Sequence, residues 1–128
     1  MEITVKNNYI RISPRKVRPV MYGLRGMTLL EAKTVLTFTR RKAADLICDL
    51  VKAGIAAAKE NYVDADKAYI KSIFCNEAPR LRRIQPWSKG QARRITKRAS
   101  HIILTLESKE EPKKATKKED INTSNNKE

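Results

Sequence analysis

Residues 78–101 read APRLRRIQPWSKGQARRITKRASH, with six arginines, two lysines and no acidic residue. The flanking segments, KAYIKSIFCN at 67–76 and HIILTLE at 101–107, have the β-branched and aromatic content of strands. Two strands are thus joined by a long cationic connection with few apolar side chains to bury. Such a connection is uncommon inside a compact domain unless it is functional. Its eight like charges also repel one another. The pattern points to a β-hairpin arm over 78–100 that leaves the body. Each limb of roughly ten residues, at about 3.3 Å per residue, reaches on the order of 30 Å. A domain near 100 residues has a radius of gyration of only ~13 Å. A lone two-stranded ribbon is marginal in water, so the arm is expected to be mobile alone and to become ordered when phosphate neutralises it.

The charge of the whole chain agrees with this. Lys plus Arg number 28 against 14 Asp plus Glu in 128 residues, a net charge of +14. That field favours polyanions, nucleic acid first and an anionic membrane second. Arginine outnumbers lysine in the arm, and its forked donors suit phosphate oxygens and its plane stacks on bases. Neutralising six to eight phosphates predicts a steep salt dependence, roughly 10³–10⁵ in affinity between 50 and 200 mM. At the tip, Gln85, Pro86, Trp87, Ser88, Lys89, Gly90 and Gln91 combine a proline, a turn glycine and the only tryptophan. Trp87 has poor core context, which places it at the tip, where it can stack on an unpaired base. Leu81, Ile84 and Ile95 are the arm's apolar exceptions, open between pairing across the hairpin and wedging into a crevice.

The rest of the chain reads as a small α+β body. Residues 2–12 form a strand with a polar break at Asn7 and Asn8. Ser13-Pro14 opens a first helix that runs to a stop at Gly26, with Pro19 and Gly23 inside it. An interior proline costs about 3 kcal/mol, so this helix is short, bent or externally held. Thr28 and Glu31 fit a capping box for a second helix, with Leu29, Ala32, Val35 and Leu36 on its inner face. A third helix runs from about Arg41 to Lys59, with Thr39 as a candidate cap. Ala43, Leu46, Ile47, Leu50, Val51, Gly54 and Ala57 recur along it at helical spacing. Residues 61–66 break it. The order is βαααββ: a small antiparallel sheet packed with three helices, an extended hairpin, and a charged tail at 108–128 expected to be disordered. Residues 1–107 form the single domain.

A second basic patch surrounds the first helix. Arg11, Arg15, Lys16, Arg18 and Arg25 cluster there, and no acid occurs between Ile3 and Leu30. Arg15, Arg18 and Arg25 fall near one helical face, and Ser13 with the helix N-terminus adds backbone donors for a phosphate.

The residues now resemble a known family. Ser13…Lys16-Val17-Arg18…Arg25-Gly26, Lys42-Ala43-Ala44, Ile73-Phe74 and Glu77-Ala78-Pro79 are similar to segments of the bacterial large-subunit ribosomal protein L-twenty-two family. The most specific run is Arg83-Ile84…Pro86…Lys89-Gly90…Ala92…Arg94-Ile95…Lys97-Arg98…Ser100-His101-Ile102. The resemblance covers about residues 3–107. It implies an α+β body on the large subunit's surface, bound to rRNA beside neighbouring ribosomal proteins, and a role in early assembly. It also implies that the hairpin crosses rRNA to the wall of the nascent-peptide exit tunnel. Carried over by position, Arg80, Arg82, Arg83, Lys89, Arg93, Arg94, Lys97 and Arg98 contact rRNA, and 85–91 form the tip near the nascent polypeptide. Trp87 departs from a usual basic residue, Ala78 from a usual glycine, and Pro19 from a usual aliphatic residue.

Other classes fit less well. A DNA-architectural ribbon with Pro86 or Trp87 as a wedge is conceivable, but such proteins usually dimerise and no apolar dimer seam is visible, so no homo-oligomer is expected. An enzyme fails on inventory: His101 is the sole histidine, and no glycine-rich phosphate loop exists. His101 is read instead as an rRNA or backbone hydrogen-bond partner. Cys48 and Cys75 are read as small buried hydrophobes, with no metal and no cofactor. No segment approaches the ~20 apolar residues of a membrane span, and no helix pairs an apolar face with a basic one. The opening MEITVKNNYI has no signal-peptide character, so a cytosolic protein with reduced thiols is expected.

Overall fold

Local signals place most of the elements. The structure, a computed structural model, describes residues 1–108; Ser108, expected to open the tail, belongs to the last strand, and the rest of the expected tail lies outside the described residues. In chain order the elements are β1 (Glu2–Ile10), α1 (Pro14–Met21), α2 (Leu29–Phe38), α3 (Lys42–Glu60), β2 (Ala68–Pro86), a 3₁₀ turn (Ser88–Gly90) and β3 (Ala92–Ser108). The strands form one antiparallel sheet in the order β1-β3-β2. This is the expected α+β architecture. The expected body strands and hairpin limbs prove continuous: β2 and β3 each run unbroken from the body core into the arm.

The apolar stripes of the helices and alternate residues of the strands make one core. Leu29, Ala32 and Leu36 of α2, Ile47 and Val51 of α3, Ile70 and Ile73 of β2, and Ile102, Leu104 and Leu106 of β3 are all buried. Val35 is exposed, contrary to expectation, because it lies about 100° around α2 from Leu36. The capping box forms as expected. Thr28 Oγ1 accepts from the Glu31 N–H, and the Glu31 carboxylate accepts from the Thr28 N–H at 3.1 Å. Thr39, expected to cap α3, instead ends α2 and donates its hydroxyl to the Val35 carbonyl. Arg41 takes the N-cap position of α3 with no side-chain cap. At the other end of α3, Tyr62 takes a left-handed conformation with φ 58°, the Tyr62 N–H donates to Lys59 O, and the Val63 N–H donates to Ala58 O. This is a Schellman ending, clamped by buried Val63.

The first helix is shorter than its sequence suggests. It stops at Met21, well before Gly26, and Pro19 inside it has no N–H for the ladder bond to Arg15 O. Ser13 stands at its N-cap, but its hydroxyl makes no capping bond. The chain then turns and is stitched to β2. The Gly26 N–H donates to Ile70 O, and the Ile70 N–H donates to Met27 O, both at 2.9 Å.

The first strand ends at Ile10 rather than Ile12, after a bulge that starts at the expected polar break. Tyr9 has φ 57°, and its N–H donates to His101 Nδ1 at 3.0 Å, with the two rings edge to face at 4.7 Å. His101 is thus the backbone partner that its sequence context suggested. Next to it, fully buried Ser100 donates its hydroxyl to Ile12 O at 2.9 Å, tying the β1–α1 connection to β3.

Helix α3 lies close over the sheet because Gly54 faces it. A Cβ at position 54 would stand 3.2 Å from Leu106 Cδ1 and 3.4 Å from Leu104 Cδ2. Gly54→Ala should therefore change stability by less than about 1 kcal/mol, since better helix propensity offsets a contact that flexible leucine tips can yield to. Gly54→Leu should destabilise by about 2 kcal/mol or more through overpacking. Urea unfolding measures both, and a Gly54→Leu protein of unaltered stability would disprove the close approach. Ser100→Ala should cost about 1–3 kcal/mol by stranding the Ile12 carbonyl. A loss below about 0.5 kcal/mol would mean that water reaches that carbonyl.

Candidate nucleic-acid interface

From Ala78 outward the hairpin stands free of the helices. The ladder shifts register by a bulge between Ala78 and Leu81, then runs regularly from Leu81↔Lys97 to Pro86↔Ala92. Eight residue steps from Ala78 to Pro86 span about 26 Å. Buried Ala78 and Ala99 close the last layer of the body, and nearly every residue beyond them is exposed.

The register assigns each side chain to a face, because directly opposed residues share one. Arg83, Arg93 and Lys97 lie on one face with Leu81 and Ile95. Arg82, Arg94 and, by the alternation of β3, Arg98 lie on the other with Ile84. Three cations therefore stand on each side of a ribbon that, among the described residues, no other element covers. The apolar exceptions do not pair directly. Leu81 and Ile95 are diagonal neighbours, while Ile84 opposes Arg94 and is 72 % exposed. Arg80, at the bulge, is the arginine held by an acid: its Nη2 donates to Glu77 Oε2 at 2.8 Å. That contact holds the Glu77 carboxyl below the usual carboxylate range, with Arg98 and Arg18 adding to the pull.

The tip is tighter than the expected 85–91 segment, because Gln85 and Pro86 still belong to the ladder. The turn closes through the Trp87 N–H to Gln91 O at 2.7 Å, with Ser88 O accepting from Gln91 N–H at 3.2 Å. Lys89 and Gly90 both have positive φ, 54° and 71°. Trp87 is half-exposed at the tip as expected, and the Arg93 guanidinium lies over its ring, 5.4 Å from the centroid. The indole is thereby held in place with a face still open.

The second basic patch divides in two. Arg11, Arg15 and Lys16 line a cleft of about 570 Å³ with Ser13, and the fold adds Arg41 and Lys42 from the start of α3. Cations at the first turns of α1 and α3 face the positive ends of those helices, an unfavourable placement that an incoming anion would relieve. Arg18 and Arg25 turn the other way, toward the outer edge of β2. Arg18 Nη2 donates to Cys75 O at 3.4 Å, and Arg25 Nη2 to Ile73 O at 3.3 Å. Arg25 lies in the turn after α1, so the expected common helical face for Arg15, Arg18 and Arg25 does not exist. Arg41 and Lys42 were not expected in this patch; the run Arg40-Arg41-Lys42 was the available signal.

Among the described residues no cluster of three or more His, Cys, Asp or Glu could hold a metal ion, and no helix is long and apolar enough to cross a membrane. Cys75 is buried and burial pushes its thiol upward, opposed by a hydrogen bond with Ser100 and the charge of Arg18.

Comparison with known proteins agrees with this geometry. Residues 5–107 match the family described as ribosomal protein L22p/L17e. The chain is 37% identical over 107 residues to the large ribosomal subunit protein uL22 of Clostridium novyi, covering 83% of this chain and 96% of that protein. It is 39% identical to the protein of the same name in Desulfitobacterium hafniense, over 80% of this chain and 91% of that one. The Syntrophotalea carbinolica uL22 is 40% identical, over 85% of this chain and 100% of its own length. A basic ribbon on an α+β body, matched along nearly all of its described length, means that the chain belongs to the L22 family of ribosomal proteins, structural constituents of the large ribosomal subunit and not enzymes.

Proposed function

We propose that the protein binds large-subunit rRNA by two surfaces, an arm that penetrates the RNA and a body cleft that rests on it. As a large-subunit protein of this family its place is the cytoplasmic ribosome. The observation that carries the proposal is the bare hairpin with Arg83, Arg93 and Lys97 on one face and Arg82, Arg94 and Arg98 on the other. A ribbon that lay on a single surface would need cations on one face only. Cations on both faces suit a ribbon with phosphates on either side, as when it is threaded between RNA helices. The Arg11–Arg15–Lys16 cleft, joined by Arg41 and Lys42, supplies the body's phosphate contacts. The arm then carries the tip, with Lys89 and Trp87, to the exit-tunnel wall, where it meets the nascent polypeptide. Ordering of the arm and of its RNA together supports subunit assembly. The aliphatic residues on the ribbon pack against riboses or base edges where RNA closes over it.

Replacing Arg93, Arg94, Lys97 and Arg98 together by Ala should weaken binding to an rRNA fragment and flatten the salt dependence by about three in log–log slope, at roughly 0.7–0.9 per phosphate contact. The body should keep its thermal midpoint, since these side chains lie beyond its core. Filter binding across 50–200 mM salt measures this, and an unchanged slope would remove the arm as the binding element. Replacing Trp87–Gln91 by Asn-Gly should preserve the ladder, because Pro86↔Ala92 would then be joined by a two-residue hairpin turn. Subunits should incorporate this variant nearly normally on sucrose gradients. Severe loss of incorporation would show that the tip anchors the protein.

A further inference from the structure

The cleft between α1 and the outer edge of β2 has a chemistry that phosphate contacts alone leave unused. Its volume is about 360 Å³, within the ~300–1,000 Å³ usual for small-ligand sites. Tyr22 and Phe74 both line it and are 84 % and 51 % exposed. Aromatic residues make up only 5% of the chain, so two on one cleft is a concentration. Phe74 faces outward because its strand neighbours Ile73 and Cys75 point into the core. The Arg25 guanidinium lies over the Phe74 ring, 5.6 Å from its centroid, and is steadied by the Ile73 carbonyl. Arg18 is steadied in the same way by the Cys75 carbonyl. A guanidinium has five N–H donors, so both keep donors for an anion. Asn76 adds an amide that can both donate and accept, and no acidic residue among those described lines the cleft.

We propose that this cleft receives one unpaired nucleotide of RNA. Its base stacks on Phe74 beside Tyr22, its edge meets the Asn76 amide, and its phosphate meets Arg18 and Arg25. A paired base has both faces covered within its helix, whereas a splayed one offers a face to an aromatic ring. The cleft thus selects single-stranded or bulged RNA, whereas the arm's cations read phosphate irrespective of pairing. Asn76 also lies two residues before Ala78, where the arm leaves the body, so a nucleotide held here would fix the RNA at the root of the hairpin. The proposal rests on the RNA-binding reading above and adds to it a site with its own selectivity.

The test uses the full chain, an eight-nucleotide single-stranded RNA and a blunt RNA duplex of the same length. Phe74→Leu retains an exposed apolar side chain on the strand and removes the stacking face. It should weaken single-strand binding by about 5- to 150-fold, the range for one stacked base. Duplex affinity and the salt slope should not change. The loss should persist in a Trp87→Leu background, which removes stacking at the tip. In the unsubstituted protein, single-stranded RNA should move the Phe74 ring resonances upfield, and neither inorganic phosphate nor the duplex should do so. Equal affinity of Phe74→Leu and unsubstituted protein for the single strand would overturn the proposal, as would equal ring shifts with phosphate. If Phe74→Leu binds normally while the arm variant still loses its salt slope, the nucleotide cleft falls and the RNA-binding reading stands. If the unsubstituted chain binds neither RNA at low salt, both fall.

Discussion

A two-stranded ribbon with cations on both faces cannot neutralise itself. Arg83, Arg93 and Lys97 share one side, and Arg82, Arg94 and Arg98 the other, and Arg80 at the root is paired directly with an acid, Glu77. The hairpin also lacks a hydrophobic face broad enough to bury, since Leu81 and Ile95 meet only diagonally and Ile84 stands apart. Folding it back onto the body would neither satisfy the charges nor cover apolar surface. The arm therefore projects, with its charge uncompensated by the described residues.

The body is built to hold that arm at its root. Central strand β3 passes from the core into the hairpin without interruption, so the arm inherits its direction from a sheet that is buried on one side by three helices. The junction is reinforced where β1 ends, through the Ser100 hydroxyl on Ile12 O and the His101 imidazole on Tyr9 N–H. Charge is segregated along the same axis. At the far end of the sheet Lys71 is bracketed by Glu2 and Glu107, whereas the root and arm carry almost only positive charge. The outer edge of β2, which would otherwise offer open carbonyls to another strand, is occupied by the turn after α1 and by Arg18 and Arg25. Two arginines thus have a structural task in addition to any contact with RNA.

Elements whose cause lies within a few residues were legible in the sequence. The Thr28–Glu31 capping box, the apolar stripe of α3 and the existence of the hairpin all arise from local spacing, and each is present. Errors occurred where a distant partner, or the choice between adjoining elements, decides the outcome. The end of α1 depends on how the following turn pairs with Ile70. The role of Thr39 depends on which of two adjoining helices its hydroxyl reaches. Val35 was misplaced because a stripe one residue too wide still looks amphipathic.

By itself, the sequence determined the βαααββ order, the excess of positive charge and its concentration in one acid-free connection, because composition and short-range periodicity act locally. Tertiary structure alone decided which cations share a surface. It set the hairpin register that puts three on each face, brought Arg41 and Lys42 to Arg11, Arg15 and Lys16, and turned Arg18 and Arg25 toward Phe74. The last two groupings depend on the packing of segments about 25 to 56 residues apart. A one-residue slip in the ladder would exchange the faces without altering the composition at all.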